Sequence, residues 1–116
     1  MAFDDPFSFE QHPGKSEGTL IFRLTGPFTL RNLFDFQAQI RAGDPPPLTI
    51  LDFTAVPYMD SAGMGTVINH YIHCQREGRR MIVAGVSKRI MELFKVTKVD
   101  AIIPMAATVE EAEARG

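Results

Sequence analysis

The chain of 116 residues carries a single cysteine, Cys74. One thiol excludes an internal disulfide and fits a reducing compartment. No apolar run approaches the roughly 18 residues of a membrane-spanning helix, so no membrane insertion is expected. The first residues lack the basic and then apolar pattern of a secretory signal. There is no run of basic residues and the formal net charge is −2. A nucleic-acid partner is therefore not expected, because such binding needs a cationic face. The phosphate-cradling patterns GxxxxGK(S/T) and GxGxxG are absent, as is the GxSxG elbow of a serine hydrolase. No internal repeat or low-complexity stretch occurs. These absences point to a cytoplasmic protein without a cofactor.

What is present is ordinary for a globular chain. Hydrophobic residues make up 45% and charged residues 22%, enough for one core and one domain, expected over residues 1–116. The densest break, Pro45-Pro46-Pro47, is too short for a domain linker.

The chain is organised around Leu51 to Ile72. Leu48, Ile50, Leu51 and Phe53 form an apolar run that predicts a strand ending near Asp52–Phe53, and Pro57 cannot extend a ladder. Met64, Val67, Ile68, Tyr71 and Ile72 then recur at i, i+3, i+4, i+7 and i+8, the one-sided stripe of a helix lying on a sheet. Asp60-Ser61 stand at its start, where side-chain oxygens cap free N–H groups. Ser61 thus presents a hydroxyl at the positive end of a helix, with Gly63 and Gly65 leaving the adjoining surface flat. A phosphate there would meet the favourable end of the dipole.

Around this unit, Phe7 to His12 alternate as a weak first strand and Leu20 to Thr25 as a better second one, closed by Gly26-Pro27. Thr29 is expected to cap a helix bearing Leu33, Phe36 and Ile40. Gly78 ends the central helix. Arg80 to Ala84 form a fourth strand ending at Gly85, and Ser87 caps a helix with Ile90, Leu93 and Phe94 facing inward. Ala101 to Ile103 read as a short strand stopped by Pro104. Thr108 and Glu111 form a capping box for a last helix. The order ββαβαβαβα implies an α/β sandwich with a mixed, mostly parallel sheet and helices packed on it.

Leu51-Asp52-Phe53-Thr54, Val56 and Asp60-Ser61-Ala62-Gly63-Met64, in this order after a strand, resemble the central motif of STAS domains, the sulfate-transporter and anti-sigma-factor-antagonist family. The Gly78 break, Val83-Ala84-Gly85-Val86 and Thr108 to Ala112 extend the likeness over about Gly18 to Ala114. The resemblance implies a STAS-like fold and, for a stand-alone antagonist, binding to an anti-sigma factor of the serine-kinase type. That kinase would use ATP to phosphorylate Ser61 and so release the complex. Asp60, Ser61, Ala62, Gly63 and Gly65 would form the partner-binding surface, with Tyr58 and Met59 either joining it or packing at the strand end. One departure is that Gly26 is followed by Pro27-Phe28-Thr29, with no carboxylate before Asp35, where kinase substrates of this family often carry an acidic residue. The alternatives are a non-switching subunit of a stress-signalling complex or lipid-transport ATPase, and an enzyme using Ser61. The enzyme reading lacks a base and an oxyanion hole. Self-association is left open.

Two further clusters have ordinary readings. His70, His73 and Cys74 share a helical turn, but a metal needs more ligands, so a solvated helix face is expected and no metal site. Lys88, Arg89 and Lys95 make one helix basic on its outer side, the pattern of a solvated surface.

Overall fold

The structure, a computed structural model, describes residues 7–115. Five strands form one sheet in the order β1-β2-β3-β4-β5. They are β1 Ser8–Pro13, β2 Thr19–Thr25, β3 Leu48–Ala55, β4 Arg80–Ala84 and β5 Met105–Ala106. β1 pairs antiparallel with β2, and all later pairs are parallel. The helices are α1 Leu33–Ile40, α2 Ser61–Arg76, α3 Lys88–Val96 and α4 Val109–Arg115, with a 3-10 turn at Val99–Ala101. The expected element order holds.

Alternation along the strands splits the interior in two. Phe22, Leu24, Leu51, Phe53, Met81 and Val83 join Phe36 of α1, Val67 of α2 and Phe94 of α3 in the larger core. Leu48, Ile50, Ile82 and Ala84 point to the other face, where Ala112 of α4 covers them. β3 and β4 are apolar on both faces because both are covered, as parallel strands require.

Four local expectations are corrected. β3 runs on to Ala55, because its pairing with β2 resumes after an irregularity as Thr25 opposite Ala55. α1 starts three residues later than a Thr29 cap implies. Thr29 opens a turn instead, its carbonyl accepting from Asn32 N at 2.9 Å, and Asn32 flanks the helix without a side-chain cap bond. Ala101–Ile103 is not a strand. The chain makes a 3-10 turn there, buries Ile103, and pairs only after Pro104, whose carbonyl accepts from Val83 N at 3.0 Å.

The fourth correction concerns the face of α2. Its buried residues are Gly63, Thr66, Val67, His70 and Cys74, so the helix is rolled relative to the apolar stripe. Met64, Ile68 and Tyr71 flank the core half-buried, and Ile72 is exposed. The roll follows from Gly63. Only a residue without Cβ can face the sheet loops this closely, and its choice of side turns Val67, His70 and Cys74 inward with it. His70 and Cys74 are consequently buried, and a solvated face is found only at His73.

Candidate functional site

The start of α2 is built by two loops running side by side. Beyond β2 and β3, Gly26 N donates to Ala55 O at 3.0 Å and Phe28 N to Tyr58 O at 3.1 Å. Phe28 and Met59 form an isolated parallel bridge, and Asp60 N donates back to Phe28 O at 3.3 Å. Phe28 is wholly buried, stacked on Phe7 and packed against Phe36 and Phe53. An aromatic anchor in the core thus fixes where the helix begins.

Asp60, not Ser61, is the cap. Asp60 has extended backbone, and its Oδ1 accepts from Gly63 N at 2.8 Å. Its Oδ2 accepts from Leu30 N at 3.0 Å. One carboxylate therefore serves both the helix and the loop after β2. Ser61 is the first helical residue, exposed, and its hydroxyl has no hydrogen-bond partner among the described residues. The expectation that Asp60-Ser61 cap the helix holds for the aspartate alone.

The other expected residues divide. A Cβ on Gly63 would fall 2.5 Å from the Phe28 carbonyl oxygen, so Gly63 is a packing residue inside the site. A Cβ on Gly65 would meet nothing within 4 Å, so that face is open. Ala62 is half-buried, and its carbonyl accepts from Thr66 Oγ1 at 2.9 Å. Met59 is only 7% exposed and belongs to the core, so it supports the partner surface from beneath and does not lie on it. Tyr58 is half-buried under Arg89, whose guanidinium carbon lies 5.1 Å from the ring centroid.

Ser61, Met64, Gly65 and Ile68 share one side of α2. Leu30, 61% exposed, is held beside them by its bond to Asp60. Thr97 at the end of α3 donates to Met64 Sδ at 3.5 Å and borders the patch on its other side. The surface around the hydroxyl is thus apolar, half-buried and open at Gly65. Leu30 was missed in the sequence because it sits in a turn with no periodicity. Its signal lies in the long-range bond to Asp60, which sequence spacing does not reveal.

Farther along α2 the groups are different in kind. His70 is 6% exposed, its Nε2 has no hydrogen-bond partner among the described residues, and its pKa is lowered to about 4, mainly by burial and then by nearby Arg79. Burial raises the Cys74 thiol, which disfavours the reactive thiolate. His73 is exposed, with Nε2 3.6 Å from Glu77 Oε2. Among the described residues, no three His, Cys, Asp or Glu side chains converge to hold a metal. No described helix is long and apolar enough to cross a membrane.

The sequence profile of the STAS domain matches residues 13–112. The chain belongs to the STAS domain family. An anti-sigma-B factor antagonist of Listeria monocytogenes is 32% identical over 53 residues, which span 46% of this chain and 46% of that protein. The match thus covers about half the length of each of the two proteins. Among solved structures, the anti-sigma factor antagonist SpoIIAA in its unphosphorylated form superposes with a TM-score of 0.70 at 25% identity, over 93% of this chain and 96% of that one. The Bacillus protein SpoIIAA in its phosphorylated form gives 0.72 at 22% identity, over 93% and 98%. An anti-sigma factor antagonist from Mycobacterium paratuberculosis gives 0.81 at 19% identity, over 97% of each chain. The α/β sandwich and the strand order found here are those of the STAS fold.

Proposed function

We propose that this STAS domain is an anti-sigma factor antagonist whose docking face surrounds the start of α2 and is switched by phosphorylation of Ser61. The observation that carries the reading is the division of labour between Asp60 and Ser61. Asp60 caps the helix, so the Ser61 hydroxyl has no structural duty and stays exposed. It sits among Leu30, Met64, Gly65 and Ile68, an apolar surface suited to a close partner.

The partner is an anti-sigma factor of the serine-kinase type. In the switch, Ser61 Oγ attacks the γ-phosphorus of kinase-bound ATP. The bond from that phosphorus to the β-bridging oxygen breaks, ADP leaves, and the hydroxyl proton is lost to the kinase or to water. The product carries about −1.5 to −2 charge where a partner would exclude water. Burying that charge against an apolar patch costs desolvation, so the complex separates. The likeness to SpoIIAA in both its unphosphorylated and phosphorylated forms supports a switch in which the fold is retained. The chain supplies no catalysis in this scheme. Ser61 Oγ is hydrogen-bonded to no base among the described residues, and the kinase provides both ATP and the catalytic groups. The setting is the cytoplasm, where sigma factors act.

The test compares affinity for a kinase-type anti-sigma factor encoded by the same genome across wild type, Ser61→Ala, Ser61→Asp and kinase-treated protein. Wild type and Ser61→Ala should bind alike in the absence of ATP. Ser61→Asp should bind more weakly, and the phosphorylated protein most weakly of all. With ATP present, only Ser61→Ala should stay bound. Equal affinity of all four folded proteins, or absence of a phosphate from Ser61 by mass after kinase treatment, defeats the reading. In that case a non-switching STAS subunit of a larger assembly becomes the better account.

A further inference from the structure

The far end of α2 carries a second feature, remote from Ser61 by roughly 20 Å of helix. A cleft of about 310 Å³ opens between the end of α1, the bend at Gly43–Pro45 and the last turns of α2. Its walls include Ile40, Arg41, Pro45, His70, His73 and Arg79. His70 contributes a buried ring whose Nε2 has no hydrogen-bond partner among the described residues. An enclosed imidazole nitrogen without a partner is uncommon in a folded protein and calls for one.

The charges around the cleft are unbalanced. Arg79 is satisfied by Glu77, with Nε donating to Oε1 at 2.9 Å. Arg41 has no ion-pair or hydrogen-bond partner for its guanidinium among the described residues, yet it lies on the cleft wall. Taking the imidazoles as neutral, two guanidinium groups against one carboxylate leave a single positive charge. Arg41 and Arg79 both act on His70 in the sense that keeps it unprotonated.

We infer that this cleft is a binding site for a small monocarboxylate with an apolar body. The carboxylate pairs with the free guanidinium of Arg41 in the two-pronged geometry that planar groups share. The apolar body lies against Ile40 and Pro45. The His70 ring supplies the polar group at the back of the cleft, and its nitrogen gains a partner from the ligand or from a water trapped behind it. A single negative charge is favoured over a phosphate dianion for two reasons. The cleft offers only one uncompensated cation. The C-terminal ends of α1 and α2 both face it, and helix C-termini repel added negative charge. This site is independent of the proposed switch at Ser61.

The experiment uses the whole chain and benzoate as probe, with benzamide as the neutral match and inorganic phosphate as the dianion. The ring-proton resonances of His70 and His73 report binding by nuclear magnetic resonance. Benzoate should shift both saturably with a dissociation constant in the millimolar range or below, while benzamide should shift neither. Phosphate should bind more weakly than benzoate. Arg41→Gln, at an exposed position beyond α1, should weaken benzoate at least tenfold with thermal unfolding unchanged. No saturable shift with benzoate would mean that the orphaned nitrogen is merely hydrated and the cleft is no site. Equal binding of benzamide, or equal binding of benzoate by Arg41→Gln, would remove the carboxylate from the proposal. Tighter binding of phosphate would overturn the monocarboxylate class. Because none of these measurements involves an anti-sigma factor, their failure leaves the Ser61 reading untouched, and the reverse also holds.

Discussion

Asp60 and Leu30 are 30 residues apart in the chain and joined by a hydrogen bond of 3.0 Å, from the Leu30 amide to Oδ2. The other carboxylate oxygen holds Gly63 N in the first turn of α2. One side chain therefore sets the start of a helix and the position of an exposed apolar residue beside it. Asp60→Ala should lower stability by about 1–2 kcal/mol, the usual cost of a lost cap. It should also free the turn at Leu30. Ser61→Ala should change stability by less than about 0.5 kcal/mol, because the hydroxyl has no hydrogen-bond partner among the described residues. Denaturant unfolding of both variants checks the contrast, and amide exchange at Leu30 should quicken only in Asp60→Ala. Equal losses in the two variants would put the cap on Ser61 after all.

Gly63 faces the carbonyl of Phe28, with no room for a methyl group. Gly63→Ala should therefore force apart two backbone segments that pack the site. A cost of about 2 kcal/mol or more is expected, in the range of overpacking a core. Gly65→Ala, two residues on, meets open space and should stabilise the helix by about 0.5–1 kcal/mol. Urea midpoints moving in opposite directions would confirm the contrast. A neutral Gly63→Ala would show that the loop can retreat.

Stability should fall between neutral and mildly acidic pH because of His70. Its pKa is lowered from 6.5 to about 4 in the folded protein, so the unfolded chain binds the proton more readily. The stabilisation is fully present above the unfolded value and is lost as pH falls from about 6.5 towards 4. The full effect amounts to up to roughly 3 kcal/mol. Arg41, Arg79 and His73 oppose protonation and Glu77 favours it, so salt should soften the dependence. Unfolding measured at about pH 7, 6 and 5 should show the decline in wild type and a much flatter profile in His70→Leu. Identical slopes would mean that the buried ring is protonated without penalty.

The fold was legible in the sequence because its signals are local. Alternation in β2, the caps at Ser87 and Thr108 and the break at Gly78 each act within a few residues. The features that were not legible depend on contacts across the chain. The apolar stripe of Met64, Val67, Ile68, Tyr71 and Ile72 is real and Val67 is buried as expected, yet α2 is rolled so that Met64, Ile68 and Tyr71 only flank the core and Ile72 is exposed, because Gly63 is held against Phe28. The first turn of α1 is delayed because Thr29 enters a turn that brings Leu30 to Asp60. The position of Ser61 could be read, but not that its neighbour had taken over the cap. Arg41 and His70 are 29 positions apart in the sequence, and only the packing of α1 on α2 brings them to one cleft.

The sheet has two unequal edges. β5 is two residues long, so a strand from another molecule finds almost no ladder to extend on that side. The opposite edge, β1, is six residues long, but it ends in Pro13, which has no N–H, and exposes Glu10 and His12. Charge and proline on an edge are the usual guards against strand-by-strand aggregation. A domain that carries an exposed apolar patch at one helix end can tolerate that patch more safely when neither margin of its sheet invites a second chain to join.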